Sequence, residues 1–142
     1  MSEARAEAEE AVLATNEAFY AAFAARDLAA MGALWASAHP VACIHPGWAP
    51  LRGRSRVMQS WRAVLANPRS PKIACTHATA HVVGDAAFVI CFESVEGERL
   101  VATNYFAKEA GAWRMVHHQA GPVASGDPEL DETPVPDPST MN

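Results

Sequence analysis

Cysteine is scarce in this sequence, and the few present are badly placed for covalent or metal work. Cys43, Cys75 and Cys91 are odd in number, far apart and set in apolar surroundings, and no CxxC occurs. The pattern argues against a disulfide framework and points to buried thiols in a reducing compartment. Long hydrophobic runs are also missing. No segment approaches the roughly 20 apolar residues that a bilayer-spanning helix needs. The opening "MSEARAEAEEAVLATNEAF" is acidic and alanine-rich, the wrong composition for a secretory signal. A cytoplasmic protein without membrane contact is the expectation. Basic residues are absent from the end of the chain. After Ser125, "GDPELDETPVPDPSTMN" holds five acids, four prolines and no Lys or Arg. Those five acids account for the whole formal charge of −5, so the remaining body is net neutral. A neutral body has no field to gather nucleic acid, and no nucleic-acid partner is expected. The tail, residues 123–142, has no hydrophobic pattern and reads as disordered.

What is present is enough for one domain. The 142 residues, half of them hydrophobic, can bury a sizeable core without staples. Residues 4–25 read as one amphipathic helix, with Ala8, Val12, Phe19, Ala22 and Phe23 on an apolar stripe broken by Thr15. Asp27 can cap a second helix, "LAAMGALWA", that ends before His39-Pro40. A short strand over 41–45 follows. A third helix spans 54–66, turns Val57, Met58, Trp61 and Leu65 inward, and stops at Asn67-Pro68. Beyond residue 70 the period changes from 3.6 to 2. "KIACTHATAHVVGD", "AAFVICFESV", "RLVATNYFAKE" and "AWRMVHHQAG" are strand-like and separated by Gly84-Asp85, Glu96-Gly97-Glu98 and Ala110-Gly111. Three short connections between four strands imply an antiparallel meander. Helices first and strands second give an α+β domain over residues 1–122: a curved antiparallel sheet with a mixed edge, wrapped around three N-terminal helices.

The order helix, helix, strand ending in "HP", "RGR", helix and four strands closing on "GAWRMVHHQAGP" resembles the SnoaL-like group of the nuclear transport factor 2-like superfamily. "ARDLAAMGALWA" and "CIHPGWAPLRGR" look like that group's second-helix and pocket-edge motifs. The final hairpin, "YFAKEAGAWRMVHHQAG", is also similar to the association domain of calcium/calmodulin-dependent protein kinase II. The similarity covers roughly residues 8–122. It implies a cone-shaped, cystatin-like fold with an apolar cavity open at one end, and a homodimer or larger ring formed through the other face of the sheet. It does not fix a chemistry, because a fold hosts many functions.

In the ketosteroid isomerase branch the residue before the loop proline is the aspartate that moves a proton, and His45 matches that place. An imidazole with pKa near 6.5 is competent there. The same branch carries an acidic hydrogen-bond donor on the penultimate strand, where "TNYF" places Asn104, whose amide could donate to a developing oxyanion. That branch's first-helix tyrosine matches Phe19, which lacks a hydroxyl. Tyr20 lies about 100° around the helix and is not expected to substitute. Alternation along the last strand separates Trp113, Met115, His117 and Gln119 from Arg114, Val116 and His118. Arg114 marks the wetter face, so His117 and Gln119 are expected inside. His45, Asn104, His117 and Gln119, walled by Phe19, Phe23, Trp48 and Trp61, would suit a partly apolar small molecule.

Plainer readings stand beside these. His45 also reads as a hydrogen-bonded strand end, Trp35 and Trp61 as core, and Asn104 as an internally satisfied amide. His77 and His81 form HxxxH, but on a strand they would lie roughly 13 Å apart, too far for one metal ion. No metal and no cofactor are expected. Two functions remain open: a cofactor-free isomerase, lyase or cyclase with His45 as acid-base, and a noncatalytic association module.

Overall fold

In the computed structural model, which describes residues 2–123, the first helix α1 (Ser2–Ala25) buries Val12, Phe19, Tyr20 and Ala22. It also buries the amide of Asn16, so its inner face is less apolar than the sequence stripe suggests. The helix ends at Arg26, whose φ of 56° is a left-handed stop of the kind usually given to glycine. The Arg26 guanidinium compensates by donating to the carbonyls of Leu65, Asn67 and Ser70. Asp27 caps α2 (Leu28–Leu34) by accepting the Ala30 amide at 3.0 Å, as expected from sequence. Arg54 opens α3 (Arg54–Ala66) and donates to the carbonyls of Gly32, Trp35 and Ala36, which fixes α3 against the end of α2.

Between α2 and α3 run β1 (Ala42–Ile44) and β2 (Leu51–Arg52); the second strand has no signal in the sequence. The meander is β3 (Ile73–Val83), β4 (Ala86–Val95), β5 (Glu98–Glu109) and β6 (Ala112–Pro122). The sheet order is β2-β1-β6-β5-β4-β3, with β1 parallel to β6 and every other pairing antiparallel. This is the α+β architecture with a mixed edge that the sequence implies. The core lies between α1, α3 and the inner face, with Trp35, Trp61, Phe19, Phe106, Met31 and Met115 almost wholly buried.

Two irregularities decide which side chains face inward. In β3 the pairing jumps between Thr76 and Thr79, and His77 takes φ 56° there. In the β5–β6 ladder Tyr105 pairs with His117 but Phe106 pairs with Met115, leaving Val116 as an extra residue. An extra residue resets strand alternation by one. Trp113 and Met115 point inward before the bulge, and His118 and Ala120 after it. The acidic tail predicted for 123–142 lies outside the described residues, Val123 excepted. Among the described residues no helix is long and apolar enough to cross a membrane.

Candidate functional site

The strand "ACI" delivers His45 to a turn in which the Trp48 amide donates to the His45 carbonyl at 2.9 Å. Pro46 and Gly47 are its central residues, and Gly47 at φ 82° fits a type II turn. The chain therefore breaks away while the imidazole stays behind, 6% exposed. Its ring packs against Trp48 at 4.8 Å and Trp61 at 4.9 Å. Ser60 Oγ gives its own proton to the Val57 carbonyl, so at 2.9 Å it accepts from Nε2–H of His45. That bond fixes the tautomer and leaves Nδ1 as an unprotonated acceptor with no partner among the described residues. Burial pulls the imidazole down to about 4, so it is neutral near pH 7 and a weaker base than a free imidazole.

His45, Pro46, Gly47 and Trp48 form one wall of a cavity of about 510 Å³. Phe23, Val64 and Ile73 supply apolar lining, and Glu93 and His118 supply polar lining. Phe19 and Trp61 are fully buried and support the cavity from behind: Trp61 packs on Phe19 at 5.3 Å and on Phe23 at 5.2 Å. Trp48 is 48% exposed, at the mouth.

The structure corrects three placements. His117 and Gln119 do not face this cavity, because the Val116 bulge reverses the alternation. His117 instead turns to the outer face and bonds the Ala42 carbonyl through Nδ1 at 3.0 Å, while Gln119 is exposed. His118 takes the inner place. Asn104 is fully buried but is not part of the cavity surface. Its NH₂ donates to Asn16 Oδ1 at 2.8 Å and to the Tyr20 hydroxyl at 3.2 Å, so both hydrogens are already committed. It has no donor left for a ligand oxygen. Tyr20, about 100° around the helix from Phe19, is also buried and reaches this network, because α1 presents Phe19 and Tyr20 together to the concave sheet.

The network also contains an acid outside the set of residues expected from the sequence, Glu93. Glu93 is 2% exposed and accepts from the Tyr20 hydroxyl at 2.6 Å through Oε2. His118 Nε2 stands 3.9 Å from the same oxygen. Burial pushes the Glu93 carboxyl above the usual carboxylate range, and the Tyr20 hydrogen bond opposes that shift. Burial first, then the charges of His45 and His117, pull His118 down to about 3. The signal for Glu93 was present: Ala87, Val89, Cys91 and Glu93 share one phase of β4, which puts an acid on an apolar face. Among the described residues no three His, Cys, Asp or Glu side chains come together as a metal-holding group.

Helices packed on the concave side of an open six-stranded sheet, with a cavity at one end, define a nuclear transport factor 2-like, cystatin-like domain. Within that class the chain belongs to the SnoaL-like domain family, which matches residues 12–125. It is similar to a candidate dehydratase of the NTF2-like family from Streptomyces avermitilis, with 31% identity and a TM-score of 0.79 over 85% of this chain and 99% of that one. A candidate calcium/calmodulin-dependent protein kinase type II association domain from Thiobacillus denitrificans is 36% identical, with a TM-score of 0.69 over 78% of this chain and 93% of that one. The F-box protein SKIP8 of Arabidopsis thaliana is 27% identical over 122 residues, 84% of this chain. The match spans 53% of that plant protein, about half its length.

Proposed function

We propose that this chain binds a partly apolar small molecule in the His45 cavity and moves a proton on it without a cofactor, as an isomerase, lyase or cyclase. The observation that carries the reading is the state of His45. Its Nε2 is tied to Ser60, its Nδ1 has no partner among the described residues, and burial keeps the ring neutral. A neutral imidazole fixed in one tautomer at a cavity wall is in the form that accepts a proton, with its basicity reduced by burial. The likeness to a candidate dehydratase, a lyase, supports the same class. Asn104 then acts as a positioning residue that holds His118 and Tyr20, not as an oxyanion donor. The three free cysteines suit a reducing cytoplasm. The test is turnover of an identified substrate by His45→Ala. A loss of about 100-fold or more in kcat is expected for a general base, and unchanged turnover removes the proposal.

A second reading, association, is favoured by the outer sheet face. His81, Phe88, Tyr105 and His117 pair directly across β3, β4, β5 and β6, with successive ring centroids 4.8, 5.5 and 6.2 Å apart. Ile90, Val101 and Tyr105 are exposed on the same strands. An aromatic ladder with apolar neighbours suits a second copy of the chain. Likeness to a candidate kinase association domain supports it. Sedimentation of the native protein and of Tyr105→Lys tests it: a dimer or ring that the substitution disperses is expected, and a monomeric native protein at micromolar concentration removes it.

A further inference from the structure

The net neutrality of the body hides a sorting of its charge. Between Leu28 and Gly84 the chain carries six bases, Arg52, Arg54, Arg56, Arg62, Arg69 and Lys72, and no acid. Arg54 is committed to the carbonyls of Gly32, Trp35 and Ala36. The other five are exposed, and their side chains make no hydrogen bond or ion pair among the described residues. Arg56 and Arg62 stand on the solvent side of α3, and Arg69 and Lys72 stand on the loop that joins it to β3. Cations left unpaired on one surface favour an anionic occupant.

That surface borders the cavity. Ser70 and Pro71, which sit between Arg69 and Lys72, line it, and so does Pro122 near the end of β6. Leu100 pairs with Pro122, Glu98 with Val95 and Val95 with Ile73, so the end of β6 and the start of β3 lie at one end of the sheet. β5 and β4 stand between them. Three interstrand steps of about 4.8 Å make that separation about 14 Å. The Val123 amide donates to the Arg99 carbonyl at 3.2 Å, so the backbone is held to the sheet up to that residue. Beyond it the sequence supplies Asp127, Glu129, Asp131 and Glu132, four to nine residues on, then Asp137, and no base. An extended chain of four to nine residues reaches at most about 14 to 32 Å. These carboxylates therefore fall within range of Lys72 and Arg69. A tether of this length presents them at a local concentration of millimolar order, which an unlinked acidic partner would have to exceed.

We propose that Arg62, Arg69 and Lys72 form the docking surface for the chain's own acidic segment, residues 126–137, which pairs with them in cis along the rim of the cavity. The segment lies outside the described residues; its charge, its length and its point of departure at Val123 carry the assignment. Ion pairs of this exposed kind are individually weak and screened by salt, so docking depends on several at once. It does not depend on proton transfer by His45.

Carbodiimide coupling of carboxylates to lysine reads the contact directly, because the chain has two lysines in different places. Lys72 stands beside the cavity, whereas Lys108 stands near the β5–β6 turn, over the Trp113 ring. Peptide mapping of native protein coupled at low salt should find acids of 126–137 joined to Lys72 and not to Lys108. The yield should be about tenfold lower in 1 M NaCl, where the screening length is about 3 Å. A mixture of unlabelled and nitrogen-15-labelled protein should give coupled products of one isotope only. A full-length variant carrying Asp127→Asn, Glu129→Gln, Asp131→Asn, Glu132→Gln and Asp137→Asn should shift the backbone amide NMR signals of residues 62–72 and leave those of residues 105–115 in place. The proposal is overturned by any of four results: coupling to Lys108 at equal yield, no coupling to Lys72, unchanged signals over 62–72, or mixed-isotope products, which would mean docking on a second copy. Turnover enters neither readout, so the fate of the His45 proposal and of this one are decided separately.

Discussion

Nδ1 of His118 lies 2.5 Å from Oδ1 of Asn104, and the direction of that bond is set by the amide hydrogens that Asn104 commits to Asn16 and Tyr20. One buried amide thus orients an imidazole, a phenol and a second amide at once. Asn104→Leu should cost about 3 kcal/mol or more, because it strands the His118 N–H and removes the donors to Asn16 and Tyr20. Asn104→Asp keeps an acceptor for His118 but loses both donors. It should destabilise the fold and move the His118 pKa upward, since an ionised carboxylate would favour the imidazolium. Urea midpoints and imidazole NMR titration measure the two effects. A His118 pKa that stays near 3 in Asn104→Asp would contradict the orientation argued here.

The neighbouring histidines of β6 should behave as opposites. His118→Ala empties a buried place among Phe19, Trp61 and Asn104 and should cost about 2–3 kcal/mol. His117→Ala loses the bond to the Ala42 carbonyl and the half-exposed ring contact with Tyr105 on the outer face, and should cost about 1 kcal/mol. Equal losses in chemical denaturation would mean that the register through Val116 is wrong.

This pair also shows where a sequence stops being legible. Helix boundaries, the Asp27 cap, the α3 span and the meander follow from period, caps and turn residues, which are local. The position of His45 is local too, because a proline and a glycine announce the turn that begins at it. A bulge is not local: nothing in "RMVHHQ" says that Val116 is the extra residue, since the offset is set by how β5 and β6 pair across the whole sheet. The burial of Tyr20 is hidden from the sequence for a related reason. A helix lying in a concave sheet is contacted over a wider arc than one on a flat surface, so two adjacent residues can both be buried. Glu93 is legible in the phase of β4, where an acid shares a face with Val89 and Cys91.

The histidine shifts give stability a pH dependence of definite sign. His45 and His118 fold with pKa values of about 4 and about 3, below the unfolded value of 6.5. Below 6.5 the unfolded chain therefore binds more protons than the folded one, and stability falls as pH falls toward the folded values. Glu93, shifted upward by burial, acts oppositely: it favours the folded state at low pH and loses that contribution as pH rises through its folded pKa. Unfolding free energy should decline from pH 6.5 toward pH 4, each histidine adding a limiting slope of about 1.4 kcal/mol per pH unit. His45→Asn should remove one such slope. A variant profile parallel to native over that window would show that His45 does not fold in its neutral form.

Gly47 offers a way to disturb the site without touching its chemistry. A Cβ added there meets nothing within 4 Å, so the cost of Gly47→Ala is confined to holding an L-residue at φ 82°. That cost is about 1 kcal/mol. The bond it strains, from the Trp48 amide to the His45 carbonyl, is the one that brings the indole to 4.8 Å from the imidazole. The substitution should therefore lower the thermal midpoint slightly while loosening Trp48, seen as a drop in its fluorescence anisotropy when position 48 alone carries 5-hydroxytryptophan, which is excited to the red of the other tryptophans. D-alanine at the same position, introduced by semisynthesis, accepts a positive φ without strain and should restore both values. If L-alanine leaves midpoint and anisotropy unchanged, the turn is not what holds His45 and Trp48 together.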